Sequence, residues 1–233
     1  MQPTDYSSFD EPARSGRSRP VDLDAVVRQL VKDLRPTSRH SVAVRLAAGL
    51  AGGAVISVLS VGLLLGYRPD MAVAMRTSMF WVKLAYALAL GLLSLGVAEC
   101  LTRPGVQAAG RARWLLLPFG LVALVAFVQL ASAPAGLRRA MVMGGSAVQC
   151  PWWIVAFSAP PLVGLVGAAR SLAPTCLRLA GASIGLAAGG FGAAAYALHC
   201  QESAGPFLAI WYSLGIGLAA VAGALLGPRA LRW

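Results

Sequence analysis

Thiols carry most of the reactivity this sequence can offer. His199 precedes Cys200, Glu202 follows two residues on, and Cys150 lies upstream between Gln149 and Pro151. Two thiolates, an imidazole and a carboxylate suit a soft or borderline divalent ion such as zinc. The spacing of Cys150, His199, Cys200 and Glu202 nevertheless matches no zinc motif. No CxxC pair occurs, which argues against a thiol oxidoreductase. Three readings of Cys150 and Cys200 follow, in this order: a structural disulfide, a redox or metal sensor, and a permanent metal site formed with His199 and Glu202. No cofactor is required, and transient binding of a thiophilic metal ion is the only such chemistry the residues suggest. The other cysteines, Cys100 and Cys176, read as inert packing residues.

The elements that must hold these residues are membrane spans. The chain has 233 residues, of which 58% are hydrophobic and 12% charged, and its mean hydropathy is +0.69. That balance lies outside the usual range for soluble domains. Six apolar stretches recur, at 42–66, 79–98, 114–132, 152–168, 177–198 and 207–227. Each is long enough to cross a hydrocarbon core of about 30 Å as a helix. The fold expected is an all-α membrane protein, a six-transmembrane-helix bundle with a short cytoplasmic N-terminal amphipathic helix. Three parts result: a disordered polar tail at 1–20, the amphipathic helix and linker at 21–41, and the transmembrane domain at 42–233. The remainder is too small for a soluble globular core, so no enzyme is expected. No cleavable secretory signal is expected ahead of the first span.

Lys and Arg are retained on the cytoplasmic side of polytopic proteins. Placing the tail, the even-numbered loops and the C-terminus on one side puts fifteen of the 20 basic residues there and leaves five, Arg68, Arg76, Lys83, Arg138 and Arg139, on the other. Both termini are therefore expected in the cytoplasm of a bacterial inner membrane, with Cys150 and Cys200 at the outer boundary, where thiols can oxidise. The net charge of +11 is accounted for in this way, and no direct nucleic-acid contact is expected. Lys83 reads as snorkelling outward, beside an aromatic belt of Trp81, Tyr86, Trp152, Trp153, Trp211 and Tyr212. Pro160 and Pro161 are expected to bend or interrupt the fourth span. Gly181, Gly185 and Gly189, and Gly223 and Gly227, recur at the four-residue spacing that lets helices approach closely in lipid. The scarcity of ionisable groups near the midplane counts against a small transporter, the alternative alongside a thiol-dependent membrane redox protein.

The tail carries one further pattern. Leu23, Val26, Val27, Leu30, Val31 and Leu34 follow helical spacing and form one apolar stripe, with Asp24, Arg28, Gln29, Lys32 and Asp33 on the remainder. Asp22 and Asp24 suit a helix start, and Pro36 closes it. A helix of about fourteen residues is marginal alone in water. Its stripe therefore calls for a partner, either the bilayer surface or a protein groove.

Several blocks carry a resemblance. FWVKLAYALAL (80–90), GGSAVQCPWW (144–153), YALHCQESAGPFLAIWYSLGI (196–216) and the closing LGPRALRW resemble the NrsF family of negative regulators of sigma-F. The resemblance runs from about Leu23 to Trp233. It implies six spans and a short cytoplasmic N-terminal segment that holds an extracytoplasmic-function (ECF) sigma factor at the membrane, making the tail stripe the sigma-binding element. It also implies that Cys150 and Cys200, matching the family's periplasmic cysteines, sense heavy-metal or oxidative stress. The extension from Met1 to Pro20 and the cysteines Cys100 and Cys176 depart from the family pattern.

Overall fold

The computed structural model describes residues 24, 26–28, 39–101, 109–170 and 176–232. Among these, every regular element is helical. The chain divides into two units, Met1–Thr37 and Ser38–Trp233. In the first, Asp24 and 26–28 are helical, Val26 and Val27 are exposed, and the Arg28 Nε donates to the Asp24 carbonyl oxygen at 3.1 Å. The remaining stripe residues, Leu23, Leu30, Val31 and Leu34, lie outside the described residues, as do the polar stretch 1–20 and most of 21–41.

The second unit holds six helices long and apolar enough to cross a membrane: Val42–Leu64, Ser78–Leu101, Gly110–Ser132, Cys150–Ala169, Leu177–Tyr196 and Gly205–Ala230. Their ends differ from the sequence expectation by four residues at most. Short helices add detail that hydropathy does not show. Met71–Ala74 follows the first span, and Ala135–Met143 lies between the third and fourth. The sixth span opens with Gly205–Phe207 and a π-helical turn at Leu208–Tyr212 before the α-helix Ser213–Ala230.

The fifth span is the centre of the bundle. It is the most buried of the six, at 78%, and the third is the least, at 17%. The fifth packs against the sixth, the second and the fourth, and the first packs against the fourth. Its Gly and Ala residues explain this position, because in lipid the packed face is marked by small side chains. A methyl group on Gly181 would run into the backbone of Gly223, and one on Gly185 into that of Ala219.

Pro160 and Pro161 do not interrupt the fourth span, which is helical from Cys150 to Ala169. The reason is local. Pro161 cannot donate to the carbonyl oxygen of Phe157 four residues earlier, and the buried Ser57 hydroxyl of the first span donates to it instead, at 2.7 Å. Gly53, one turn before Ser57, lies against the Pro161 backbone with no room for a side chain.

Candidate functional site

Cys150 and Cys200 meet at the end of the bundle away from the start of the first span. Cys150 is the first residue of the fourth-span helix, and Cys200 lies in the loop that follows the fifth. Both are free thiols, 0% and 3% exposed, and they lie in the same buried cluster, where the Cys150 thiol acts on the Cys200 sulfur.

The Cys200 loop is clamped from three sides. Lys83 Nζ, from the second span, donates to the Cys200 carbonyl oxygen at 3.1 Å and stands 5.4 Å from the centre of the Tyr212 ring. Arg68 Nη1 donates to the same oxygen at 3.5 Å, and the Arg68 backbone N–H donates to the Leu198 carbonyl at 3.1 Å. His199 shares a hydrogen with the Gly66 carbonyl at 2.8 Å, so its Nδ1 carries the proton. The backbone N–H of Gly145 donates to Glu202 Oε1 at 2.7 Å, and that of Gly205 to Gln129 Oε1 at 2.7 Å.

Two glycines make this possible. Gly66 and Gly144 have φ of 75° and 51°, a region that favours glycine. Gly144 also leaves the space that the Glu202 carboxylate fills.

Lys83 does not snorkel. It is 3% exposed and turned into the bundle, because a carbonyl and an aromatic face there replace the water it would have sought outside. Trp81 and Trp152 are exposed and fit the aromatic belt, but Tyr86 and Tyr212 are buried. Tyr86 shares a 2.6 Å hydrogen bond with Ser213. Trp153, Phe157, Tyr196 and Tyr212 form a chain of ring contacts, with centroids 5.6, 6.3 and 6.2 Å apart, behind the thiols. The Tyr212 hydroxyl is fully buried and faces the Cys200 sulfur without making a well-formed hydrogen bond.

The Cys200 thiol pKa is drawn below the ordinary value. The chief cause is the hydrogen bond from Cys150, helped by the Lys83 ammonium, the Tyr212 hydroxyl and the Glu202 backbone N–H, while burial opposes the shift. Beside it, Arg68 and Asp70 form a two-pronged ion pair at 2.8 and 2.7 Å. This pair raises the Arg68 pKa and lowers that of Asp70.

The four residues named for a metal site are not gathered into one. Cys150 and Cys200 come together, but the His199 Nδ1 is spent on Gly66 and Glu202 turns to the Gly145 backbone. Among the described residues no group of three or more His, Cys, Asp or Glu side chains is placed to hold an ion. Sequence reasoning missed Arg68 as a partner of Cys200 and the inward turn of Lys83 and Tyr212. The signal available was the rarity of a lysine inside an apolar stretch, which by itself points to a buried role as readily as to an interfacial one. At the other end of the bundle Cys100 is buried and receives the Arg111 Nη1 at 2.8 Å, while Cys176 is exposed.

Six helices long and apolar enough to cross a membrane thus bring two of the four thiols together at one end of the bundle. The family model described as "Negative regulator of sigma F", NrsF, matches residues 30–233, and the chain belongs to that family. It is 37% identical over 194 residues to the "Probable anti-sigma-F factor NrsF" of Azospira oryzae, covering 83% of this chain and 91% of that protein. It is 36% identical over 216 residues to the "Anti-sigma-F factor NrsF" of Caulobacter vibrioides, covering 91% and 97%. No solved structure matches.

Proposed function

We propose that this protein is a membrane-anchored anti-sigma factor, which holds an ECF sigma factor through its cytoplasmic N-terminal segment and releases it when a periplasmic signal alters Cys150 and Cys200. The observation that carries the reading is the family match over residues 30–233, supported by relatives named as anti-sigma-F factors that align along almost the whole chain. The match takes in Leu30, Val31 and Leu34 of the apolar stripe. Leu23, Val26 and Val27 precede it and extend the same face.

The thiol pair supplies the signal chemistry. The Cys200 thiolate attacks a hydroperoxide, takes one oxygen as a sulfenic acid and expels an alcohol or water. The Cys150 sulfur then displaces that oxygen as water and closes a disulfide, so the pair loses two electrons and the peroxide gains them. A thiophilic cation binding both sulfurs with loss of their protons is the other route. Lys83 and Arg68, two positive charges beside the pair, weigh against it.

Magnitude limits the switch. Moving a population from 1:99 to 99:1 takes about 5.5 kcal/mol, and one disulfide supplies about 2–4 kcal/mol. A graded release is therefore expected.

The test has two arms. Leu30→Asp abolishes co-purification of the sigma factor from detergent, and continued binding would place the contact elsewhere. Cys150→Ser with Cys200→Ser inserts normally but loses the stress response of the sigma regulon, and an unchanged response would remove the sensor.

A further inference from the structure

At the end of the bundle remote from the thiols, the first turn of the fifth span and the last turn of the sixth border an open groove of about 630 Å³. Arg178, Arg229 and Arg232 ring it, and Ala224, Leu225 and Pro228 form an apolar wall. All three arginines are exposed. The Arg68–Asp70 ion pair lies at the opposite end. No Asp or Glu occurs between Glu99 and Glu202 or after Glu202, the stretches that carry all three arginines. Arg170, whose Nε donates to the Ala230 carbonyl at 2.7 Å, adds positive charge to the same end.

The groove is built in advance. Its two helices are held at backbone contact where Gly227 meets Leu177 and Gly223 meets Gly181, so no rearrangement is needed to bring the arginines together. Its two halves differ in chemistry. Positive charge collects at the helix ends, while Leu225, one turn deeper than Arg229 and 66% exposed, presents hydrocarbon along the outer face of the span. A free phosphate would satisfy the arginines and leave the wall bare. An acidic peptide reaching Leu225 would carry backbone polar groups into the hydrocarbon region without partners. A molecule with an anionic head and an acyl chain meets both halves, as do lipids in basic clefts at span ends.

We propose that this groove binds an anionic glycerophospholipid, with its phosphate among Arg178, Arg229 and Arg232 and an acyl chain along Ala224, Leu225 and Pro228. The site rests on the six helices being membrane spans and is independent of sigma binding.

Native mass spectrometry of the full-length protein in detergent, titrated with phosphatidylglycerol, phosphatidylcholine or inorganic phosphate, tests it. Phosphatidylglycerol is expected to be retained in preference to phosphatidylcholine. Each of Arg178→Gln, Arg229→Gln and Arg232→Gln is expected to weaken retention about fivefold, and the triple variant about a hundredfold. Leu225→Ser weakens lipid retention without changing the response to phosphate, and Arg139→Gln, on the helix at the far end, changes nothing. Four results would overturn the proposal. These are equal retention of phosphatidylcholine, undiminished phosphatidylglycerol on the triple variant, complete displacement of the lipid by an equal concentration of inorganic phosphate, and loss of an acidic protein partner from the triple variant with lipid retention unaltered.

Discussion

At the Cys200 carbonyl, two cations from different parts of the chain converge on one oxygen, and the sulfur of the same residue faces a second thiol, a lysine and a tyrosine hydroxyl. Because its pKa is depressed, Cys200 stays a thiolate at a lower pH than an ordinary cysteine. The stability linked to this shift is fully present above the ordinary thiol value of 9.0 and is lost as pH falls through the depressed one. Thiolate ultraviolet absorbance of the purified protein checks this. Cys150→Ala, which removes the largest cause, moves the Cys200 titration upward, and Lys83→Met moves it in the same direction. A titration indifferent to both changes would mean that neither group reaches the sulfur. None of this could be read from spacing. Lys83, Arg68 and Tyr212 are brought to Cys200 by helix packing, whereas Cys150 and Cys200 themselves stood out as the two thiols at one predicted boundary.

Among the helices, the six spans were legible because length and hydropathy are set by the bilayer alone. Which face of each span points inward was not, since lipid and bundle interior are equally apolar and hydropathy carries no direction. Small residues carry it instead, and the repeats at Gly181–Gly185–Gly189 and Gly223–Gly227 identified a seam where two helix backbones touch. Gly223→Val is expected to destabilise the bundle by about 1–3 kcal/mol through overpacking, read as a lower unfolding midpoint in detergent. The proline pair shows the opposite limit. Its sequence predicts a bend or break; the helix is not broken, and the donor that Pro161 lacks comes from Ser57, about a hundred positions away in the chain. Ser57→Ala leaves the Phe157 carbonyl buried without a donor and should cost about 1–3 kcal/mol, whereas Ser57→Thr, which keeps the hydroxyl, should cost less. Equal midpoints for Ser57→Ala and the parent protein would show that the fourth span satisfies that carbonyl unaided.

On the scale of the six-helix unit, the Cys150–Cys200 pair lies at one end and Arg170, Arg178, Arg229 and Arg232 at the other, and the distribution of basic residues predicts both termini inside. A cytoplasmically active reporter fused after Trp233 should therefore function, and the same reporter inserted within Ala135–Met143 should not. The reverse pattern would invert the orientation and, with it, the assignment of Cys150 and Cys200 to an oxidising compartment.

The enclosed position of the fifth span has a consequence for biogenesis. It has the lowest mean hydropathy of the six and the largest buried share, so on leaving the translocon it should be the span least able to partition into a bilayer unaided. The second and fourth spans, made earlier, are its waiting partners, and the sixth, made last, closes the remaining side. Nascent chains halted just after Tyr196 should stay beside the insertion machinery longer than chains halted after any other span, and release should come only as the sixth emerges.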